Sequence, residues 1–488
     1  MNKSLRVCRT ALALFALIVL AGGATMHGQT YSVLYDFGGI NGDPILNETP
    51  LAQGADGALY GASISGGAQN LGAFFKMIAP GRVKVLYSFC AQSNCADGSS
   101  PAGMTLRVDG HFVGAAIAGG TANRGTLFEI TQTGAMTVLY NFTGGADGAY
   151  PSAPILGPDG NFYGTATGNG NPSGCGTAYR FSSTGVGGVF SLLHKFYKLP
   201  ADGCLPLSLV LGTDGNLYGT TCYGGNSDFG TVFKMTTNGK TTLLHSFDGV
   251  DDGYCASNLT LGSDGNFYGT TRGNGPPYGG TIFKIAPDGT FTLLHSMSGN
   301  DGAWLIAGLV QASDGNFYGA AEQGGTGTGT TSHCPNNCGT LFKATPAGAF
   351  TVLHNFDFVD GYWIDSTPFQ HTSGVLYGDT YGGGLYDGPG GYCGFFYCGV
   401  LYTFDNNLPP FAALIPYEGK VGIPVEILGQ GFTPSTTVSF NGAPAGTVKV
   451  TNGTRLLAYV PSGATSGYVT VTTSSGTLTS KQPFIVAR

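Results

Sequence analysis

Short apolar stretches of about seven residues, alternating with polar positions and cut by glycine-bearing turns, recur from Tyr31 to about Phe404. In the unit Leu207–Phe247, LSLVLGT ends at Asp214-Gly215, a dipeptide suited to a two-residue hairpin turn. NLYGTTC follows and stops at Gly224-Gly225. GTVFKMT turns Lys234 outward and ends at Asn238-Gly239, and TTLLHSF completes the unit. Four such strands in succession predict a four-stranded antiparallel sheet of the propeller-blade kind. A solenoid would need helices or shorter coils instead.

The segment AGLVQASDGNFYGAAE at Ala307 has near-copies at Ser152, Leu207 and Ser257 and weaker ones at Thr49, Ala102 and Ser366. Seven copies at a spacing of roughly fifty residues predict a seven-membered array. The phase of the pattern sharpens this expectation. YSVLYDF at Tyr31 reads as a fourth strand with no unit ahead of it, and the last repeat has VLYGDTY at Val375 and GVLYTF at Gly399 but no fourth strand. Pairing Tyr31–Phe37 with Gly399–Phe404 would remove both sheet edges of an open array. The expected fold is therefore all-β, a seven-bladed β-propeller over residues 30–407 closed by its N-terminal strand.

The period stops at Pro409-Pro410. Residues 409–488 alternate Val and Thr between Gly, Pro and Asn turns, which predicts a small immunoglobulin-like β-sandwich. At the other end, Lys3, Arg6 and Arg9 precede an apolar run from Ala11 to about Leu20 and small residues through Ala24. This is the build of a secretory signal peptide, residues 1–24 with the cut between 24 and 29, and it is too short for a permanent anchor. No later stretch suits membrane insertion, so the mature chain is expected to be exported: secreted, periplasmic or at the cell surface.

Acidic residues (28) outnumber basic ones (21), and loss of the three leader cations leaves 18, a net charge near −10. A surface this short of Lys and Arg excludes nucleic acid and anionic membranes as partners, since both need clustered positive charge. The 84 glycines suggest low complexity, but 12 % aromatic residues at repeat positions mark a folded chain.

The DGNFYGT cores at Asp159, Asp264 and Asp314 (the last as DGNFYGA), the GTxFK strands at Gly230, Gly280 and Gly339, and the LLH or VLH-x-F fourth strands resemble the GloVer tandem-repeat family of exported bacterial proteins. That resemblance implies a propeller-like fold over about three quarters of the chain, with no established chemistry. The tail resembles an IPT/TIG domain through Gly429-Gln430-Gly431-Phe432, Val438-Ser439-Phe440-Asn441-Gly442 and Val460-Pro461. Such domains act as spacers or interaction modules.

The expected ring has two faces, one carrying the Asp-Gly turns and one carrying loops of variable length. Cys8 leaves with the leader, and the other ten cysteines fall on or beside the loop face. An even number in an exported chain favours disulfides. Cys90–Cys95, Cys334–Cys338 and Cys393–Cys398 suit local bridges, while Cys175, Cys204, Cys222 and Cys255 allow three pairings. Zinc at Cys334 and Cys338 with His333 is the weaker alternative.

His194, His245, His295 and His354 share one fourth-strand position with Tyr35, Tyr87 and Tyr140, so that position asks for a packed or hydrogen-bonded ring and not for a metal ligand. Asp43, Asp97, Asp147, Asp202, Asp252, Asp301 and Asp360 form a second set, one in each loop entering a blade. Each is expected to cap its own loop through an Asx-type bond. The alternative is a ring of carboxylates holding a structural Ca²⁺, and no other cofactor is expected.

Trp304, Trp363, Tyr254 and Tyr362 come closely after these aspartates, and with Asp301 and Asp360 they are the candidate ligand-binding residues: rings to stack on sugars, carboxylates to bond their hydroxyls. No nucleophile elbow, metal-binding helix motif or phosphate loop occurs. Glu322 and Asp379, near the ends of adjacent second strands, are the candidate pair for a carbohydrate-active hydrolase or lyase. The expected function is non-catalytic binding of an extracellular glycan or surface protein on the loop face. The alternatives are the carbohydrate-active enzyme and a structural envelope or matrix component. The sequence leaves the oligomeric state open.

Overall fold

The computed structural model describes residues 29–487 apart from 39–48, 80, 158, 169–173, 183–187, 199, 201, 274–278, 328–333, 335–336 and 385–397. The leader, Asp43, His333 and Cys393 lie outside the described residues. One 3₁₀ turn at Ser93–Cys95 aside, all regular structure in the described chain is β.

The unit that begins at Leu207 forms strands Gly203–Leu211, Leu217–Gly224, Thr231–Met235 and Thr241–Ser246, paired antiparallel in chain order. Sheets of the same order begin at Ala52, Ser99, Ala149, Tyr254 and Val310. In the last sheet of the repeat region, Phe369–Gln370, Leu376–Asp379 and Val400–Asp405 are joined by the N-terminal strand Thr30–Asp36 in the fourth place. Thr30 lies opposite Asp405 and Asp36 opposite Val400. The Tyr31 ring stacks on His354 at 4.0 Å, and its hydroxyl donates to the Asp360 carbonyl at 2.6 Å. First and last sheets touch directly: Gln53 Nε2 donates to Thr372 Oγ1 and the Thr372 N–H returns to Gln53 Oε1, both at 3.0 Å.

The repeated DGNFYG segment is explained residue by residue as scaffold. The aspartate accepts the N–H two residues on, as Asn316 donates to Asp314 at 3.0 Å, and it accepts the hydroxyl of its own second-strand tyrosine. Those hydroxyl bonds run 2.8–3.0 Å at Tyr163, Tyr218, Tyr268 and Tyr318. The glycine after the tyrosine leaves room for the third-strand aromatic directly across. A Cβ on Gly219, Gly269 or Gly319 would stand 2.5–2.6 Å from the ring tip of Phe233, Phe283 or Phe342. The pairs Gly219–Phe233 and Gly269–Phe283 sit in register, so the GTxFK and DGNFYG segments specify each other.

Past Pro410 the chain forms two four-stranded sheets and one short parallel pair, Glu418–Gly419 with Ile485–Val486. Val425, Ile427, Phe440, Leu456 and Val469 fill its core. Expected to act as a spacer or partner site, this tail lies against the Asp-Gly turn side. Leu428 shares an apolar cluster with Tyr60, Leu106 and Phe112. The Tyr417 hydroxyl donates to the Leu211 carbonyl at 2.8 Å, Gln482 to that of Leu261 at 2.8 Å, and Asn452 to that of Ala55 at 3.2 Å. Carbonyls at first-strand ends, which would otherwise face water, are thereby satisfied.

Four disulfides occur among the described residues. Cys90–Cys95 and Cys334–Cys338 close local loops, and Cys175–Cys204 and Cys222–Cys255 each join consecutive sheets. The bridge at Cys334–Cys338 corrects the zinc alternative, because its sulfurs are not thiolates. The Cys393–Cys398 pairing has one member outside the described residues.

Candidate functional site

The side opposite the Asp-Gly turns is organised by two sets of residues that looked independent in the sequence. Each of the six described loop aspartates accepts a hydrogen bond from the ring on its own fourth strand. Tyr87 donates to Asp97 at 2.6 Å and Tyr140 to Asp147 at 3.0 Å. His194 lies 3.2 Å from Asp202, His245 2.7 Å from Asp252, His295 2.9 Å from Asp301 and His354 2.7 Å from Asp360. The same carboxylates accept backbone N–H groups of the loop, such as Ser298 to Asp301 and Asp357 to Asp360, both at 2.7 Å. Tyr and His alternate because both carry an N–H or O–H on a flat ring. Burial and the neighbouring carboxylate push the Tyr87 and Tyr140 hydroxyls above their ordinary range. The rings also stack on the adjoining sheet, His245 on Phe291 at 4.0 Å and His295 on Phe350 at 4.1 Å. Among the described residues no cluster of three or more His, Cys, Asp or Glu is arranged to hold a metal ion.

Three residues past each of these aspartates the backbone turns left-handed. Ser100, Tyr150, Leu205, Cys255, Trp304 and Trp363 all have φ between 46° and 59°. Left-handed backbone at residues this large costs about 1–3 kcal/mol and persists only where the surroundings impose it. Here the constraint is a bond to the preceding sheet. Each of the six N–H groups donates to a carbonyl there at 2.8–3.3 Å, as Trp304 does to Gly279 and Trp363 to Cys338. In six of the sheets the fold thus holds one side chain at a fixed, unfavourable backbone position, whatever the residue type.

Three of the six column residues are aromatic. Trp304 is 41 % exposed and Tyr150 38 %, with Arg124 donating to the Tyr150 hydroxyl at 2.9 Å. Trp363 is half-buried, its ring 5.7 Å from that of Tyr381. Glu322 and Tyr381 hold one repeat position at the end of the second strand, and their N–H groups donate to the carbonyls of Trp304 (3.1 Å) and Trp363 (2.8 Å). Arg272 holds the same position one sheet earlier, and Tyr254 lies opposite it in the ladder. Burial raises the Glu322 carboxyl, against the pull of the Gln323 amide and the Arg272 charge, and Glu322 Oε2 has no hydrogen-bond partner among the described residues.

Two candidates sit elsewhere. Tyr362 is fully buried, stacked on Phe358 and filling the space above Gly382, so it cannot offer a face to a ligand. Asp379 is 1 % exposed at the end of its strand, two residues short of the position that matches Glu322, and it faces Tyr402. The two carboxyls are therefore not equivalent members of a ring. Sequence reasoning overlooked Arg272, Tyr381, Leu205 and the left-handed column. Aligning the third residue after every loop aspartate would have displayed the column, though not its backbone.

A model of the Gloeobacter/Verrucomicrobia repeat matches residues 23–171 and 150–392. No curated protein matches the chain. Among solved structures, the chain is similar to the extracellular domain of a hybrid two-component system from B. thetaiotaomicron, 8 % identical with a TM-score of 0.51 over 94 % of this chain and 58 % of that one. A second such domain from the same organism is 13 % identical with a TM-score of 0.49, over 92 % and 52 %. A gluconolactonase from Xanthomonas campestris is 12 % identical with a TM-score of 0.36, over 62 % and 82 %. The chain spans little more than half the length of the two extracellular domains, and identities this low bear on the fold alone.

Proposed function

Because this chain belongs to the Gloeobacter/Verrucomicrobia repeat family, we propose that it is a closed seven-bladed β-propeller with an immunoglobulin-like tail, exported to bind an extracellular glycan without catalysis. The four disulfides support an oxidising compartment. The observation that carries the binding reading is the left-handed column. Trp304 and Trp363 occupy consecutive positions of a backbone that is costly for large residues, and Trp304 leaves much of its ring in water. A scaffold gains nothing from a half-exposed tryptophan on strained backbone, whereas a sugar-stacking platform does. Tyr254 and Arg272 extend the platform on the preceding blade. Asp301 and Asp360, bonded to His295 and His354, hold its loops.

The test is a glycan array and pull-down with the mature chain, then affinity for any hit with Trp304→Ala plus Trp363→Ala. We expect affinity to fall about 30-fold or more, the scale of buried aromatic anchors. Absence of glycan binding, or binding that the double variant leaves unchanged, would sink the reading. A second reading, polysaccharide cleavage with Glu322 as the acid, rests on that carboxyl's raised proton affinity beside the platform. It requires activity on a polysaccharide panel that Glu322→Gln removes.

A further inference from the structure

Between the tail and the Asp-Gly turn side lies a cavity of about 340 Å³. Its walls are Leu106, Leu156, Leu209, Leu211 and Leu259, contributed by four different sheets, and its roof is the tail segment Leu414–Glu418. The Tyr417 hydroxyl bond to Leu211 holds that roof in place. A second cavity of about 480 Å³ adjoins it, with Leu156, Pro416 and Glu418 common to both, and it is lined on the far side by Arg107 and Asp109. Glu418 therefore stands at the junction of two chambers, one walled by leucines and one edged by Arg107 and Asp109.

The charges around Glu418 do not balance. Arg107 is committed to Glu129 at 2.6 Å and to Asp109 at 3.1 Å, and Lys234 is committed to Asp214 at 2.6 Å. Neither cation is left for Glu418, whose Oε2 is buried without a hydrogen-bond partner among the described residues. Burial, reinforced by the Asp214 charge, holds its carboxyl above the ordinary range. A buried acceptor without a donor is rare in folded chains and calls for an explanation. On the leucine-walled side of Glu418 a lone water finds few of the two to four polar partners it needs.

We propose that this cavity binds a small apolar molecule bearing a cationic amine, with Glu418 as its counter-ion. The chamber is within the size range of small-molecule sites, its walls are apolar and pre-formed on strands, and one polar group fixes orientation, which is the composition such sites share. The ammonium supplies the donor and the charge that Glu418 lacks. The apolar body removes leucine surface from water. The site lies on the side opposite the aromatic platform, so neither proposal depends on the other.

The experiment titrates the full mature chain with phenethylamine, 2-phenylethanol and phenylacetate, by calorimetry and ligand-observed NMR. The amine is expected to bind at least about tenfold more tightly than the alcohol, as a charge-assisted bond provides, and phenylacetate not at all. Glu418→Gln should erase the preference for the amine while its melting temperature stays equal or rises, because a buried charge has been removed. Leu259→Phe, which fills the chamber, should weaken amine and alcohol alike. No binding of the amine up to about 10 mM, equal affinity for amine and alcohol, or an amine affinity unchanged in Glu418→Gln would each overturn the proposal.

Discussion

The turn side and the loop side of the repeat region are built from the same dipeptide, Asp-Gly, yet they differ in the partner of the aspartate and in the path of the chain beyond the glycine. On the turn side Asp159, Asp214, Asp264 and Asp314 hold a tyrosine four residues on within the same hairpin, and the chain re-enters a strand at once. On the loop side Asp202, Asp252, Asp301 and Asp360 reach back to a histidine on the strand before. The residue three positions on is then forced into left-handed backbone. The first arrangement recurs in these four copies, and the tail packs against that side. The second fixes a backbone while leaving the side chain free to be Ser, Tyr, Leu, Cys or Trp. A rigid frame with a variable tip is where binding residues collect, which is why the proposed platform is placed at the tip and the repeated turn is read as scaffold.

The contrast breaks most severely where the tail meets the turn side. Arg455 Nη2 donates to Glu426 at 3.0 Å and to the Val108 carbonyl at 2.9 Å, so one guanidinium ties a tail carboxylate to the repeat region. The Glu426 side chain is 0 % exposed, and burial lifts its carboxyl from 4.5 to about 7 despite the pull of Arg455. Arg455→Ala should cost about 3–5 kcal/mol at pH 8, where an uncompensated buried carboxylate remains. The folded state holds the Glu426 proton more tightly than the unfolded state. Its contribution is therefore most favourable below about 4.5, and stability declines as pH rises through about 7, by roughly 3 kcal/mol. Urea unfolding at pH 5 and pH 8 should show a smaller Arg455→Ala loss at pH 5, and a flatter pH profile in Glu426→Gln. Equal losses at the two pH values would remove the tail's charged anchor from the account.

A smaller effect separates two glycines at one turn-side position. Gly315 and Gly374 both have positive φ, 80° and 101°. A Cβ on Gly315 meets nothing within 4 Å, whereas on Gly374 it would stand 2.1 Å from the Leu408 carbonyl oxygen, where the chain leaves for the tail. Gly315→Ala should cost only the left-handed penalty, about 1 kcal/mol, and Gly374→Ala about 3 kcal/mol because backbone must also shift. Equal costs in denaturant titrations would mean that the tail's connection yields freely.

How much of this the sequence shows depends on the range of the interactions. Four-stranded units were legible because alternation and turn dipeptides act within a hairpin, and Asp214-Gly215 and Asn238-Gly239 stand where the chain turns back. The loop aspartates and fourth-strand rings were each visible as a column. Their union was not, because it depends on how the loop folds back over six to ten residues. Cys175–Cys204 and Cys222–Cys255 depend on which sheet edges adjoin. The left-handed column is illegible for a different reason. Its residues include neither Gly nor Asn, and the conformation is imposed by an N–H bond to the neighbouring sheet. Glu426 misleads outright, since a glutamate in Val-Glu-Ile-Leu reads as outward-facing but is capped by Arg455 from the next strand.

The smallest expected change in stability is also the sharpest test of the contrast. Trp304 has φ 58° and is 41 % exposed, so Trp304→Gly relieves about 1 kcal/mol of backbone strain and gives up a comparable amount of ring packing. Its unfolding free energy should stay within about 1 kcal/mol of the parent, since the two terms oppose. Glycan affinity should nevertheless fall as far as in an alanine variant. Folding that ignores a tryptophan on which binding depends is the signature of a residue kept for its ligand. If Trp304→Gly instead lost about 3 kcal/mol or more, as a core aromatic does, the ring would be packing the loop onto its sheet. The loop side would then be scaffold like the turn side, and the difference between the two would reduce to which of them the tail covers.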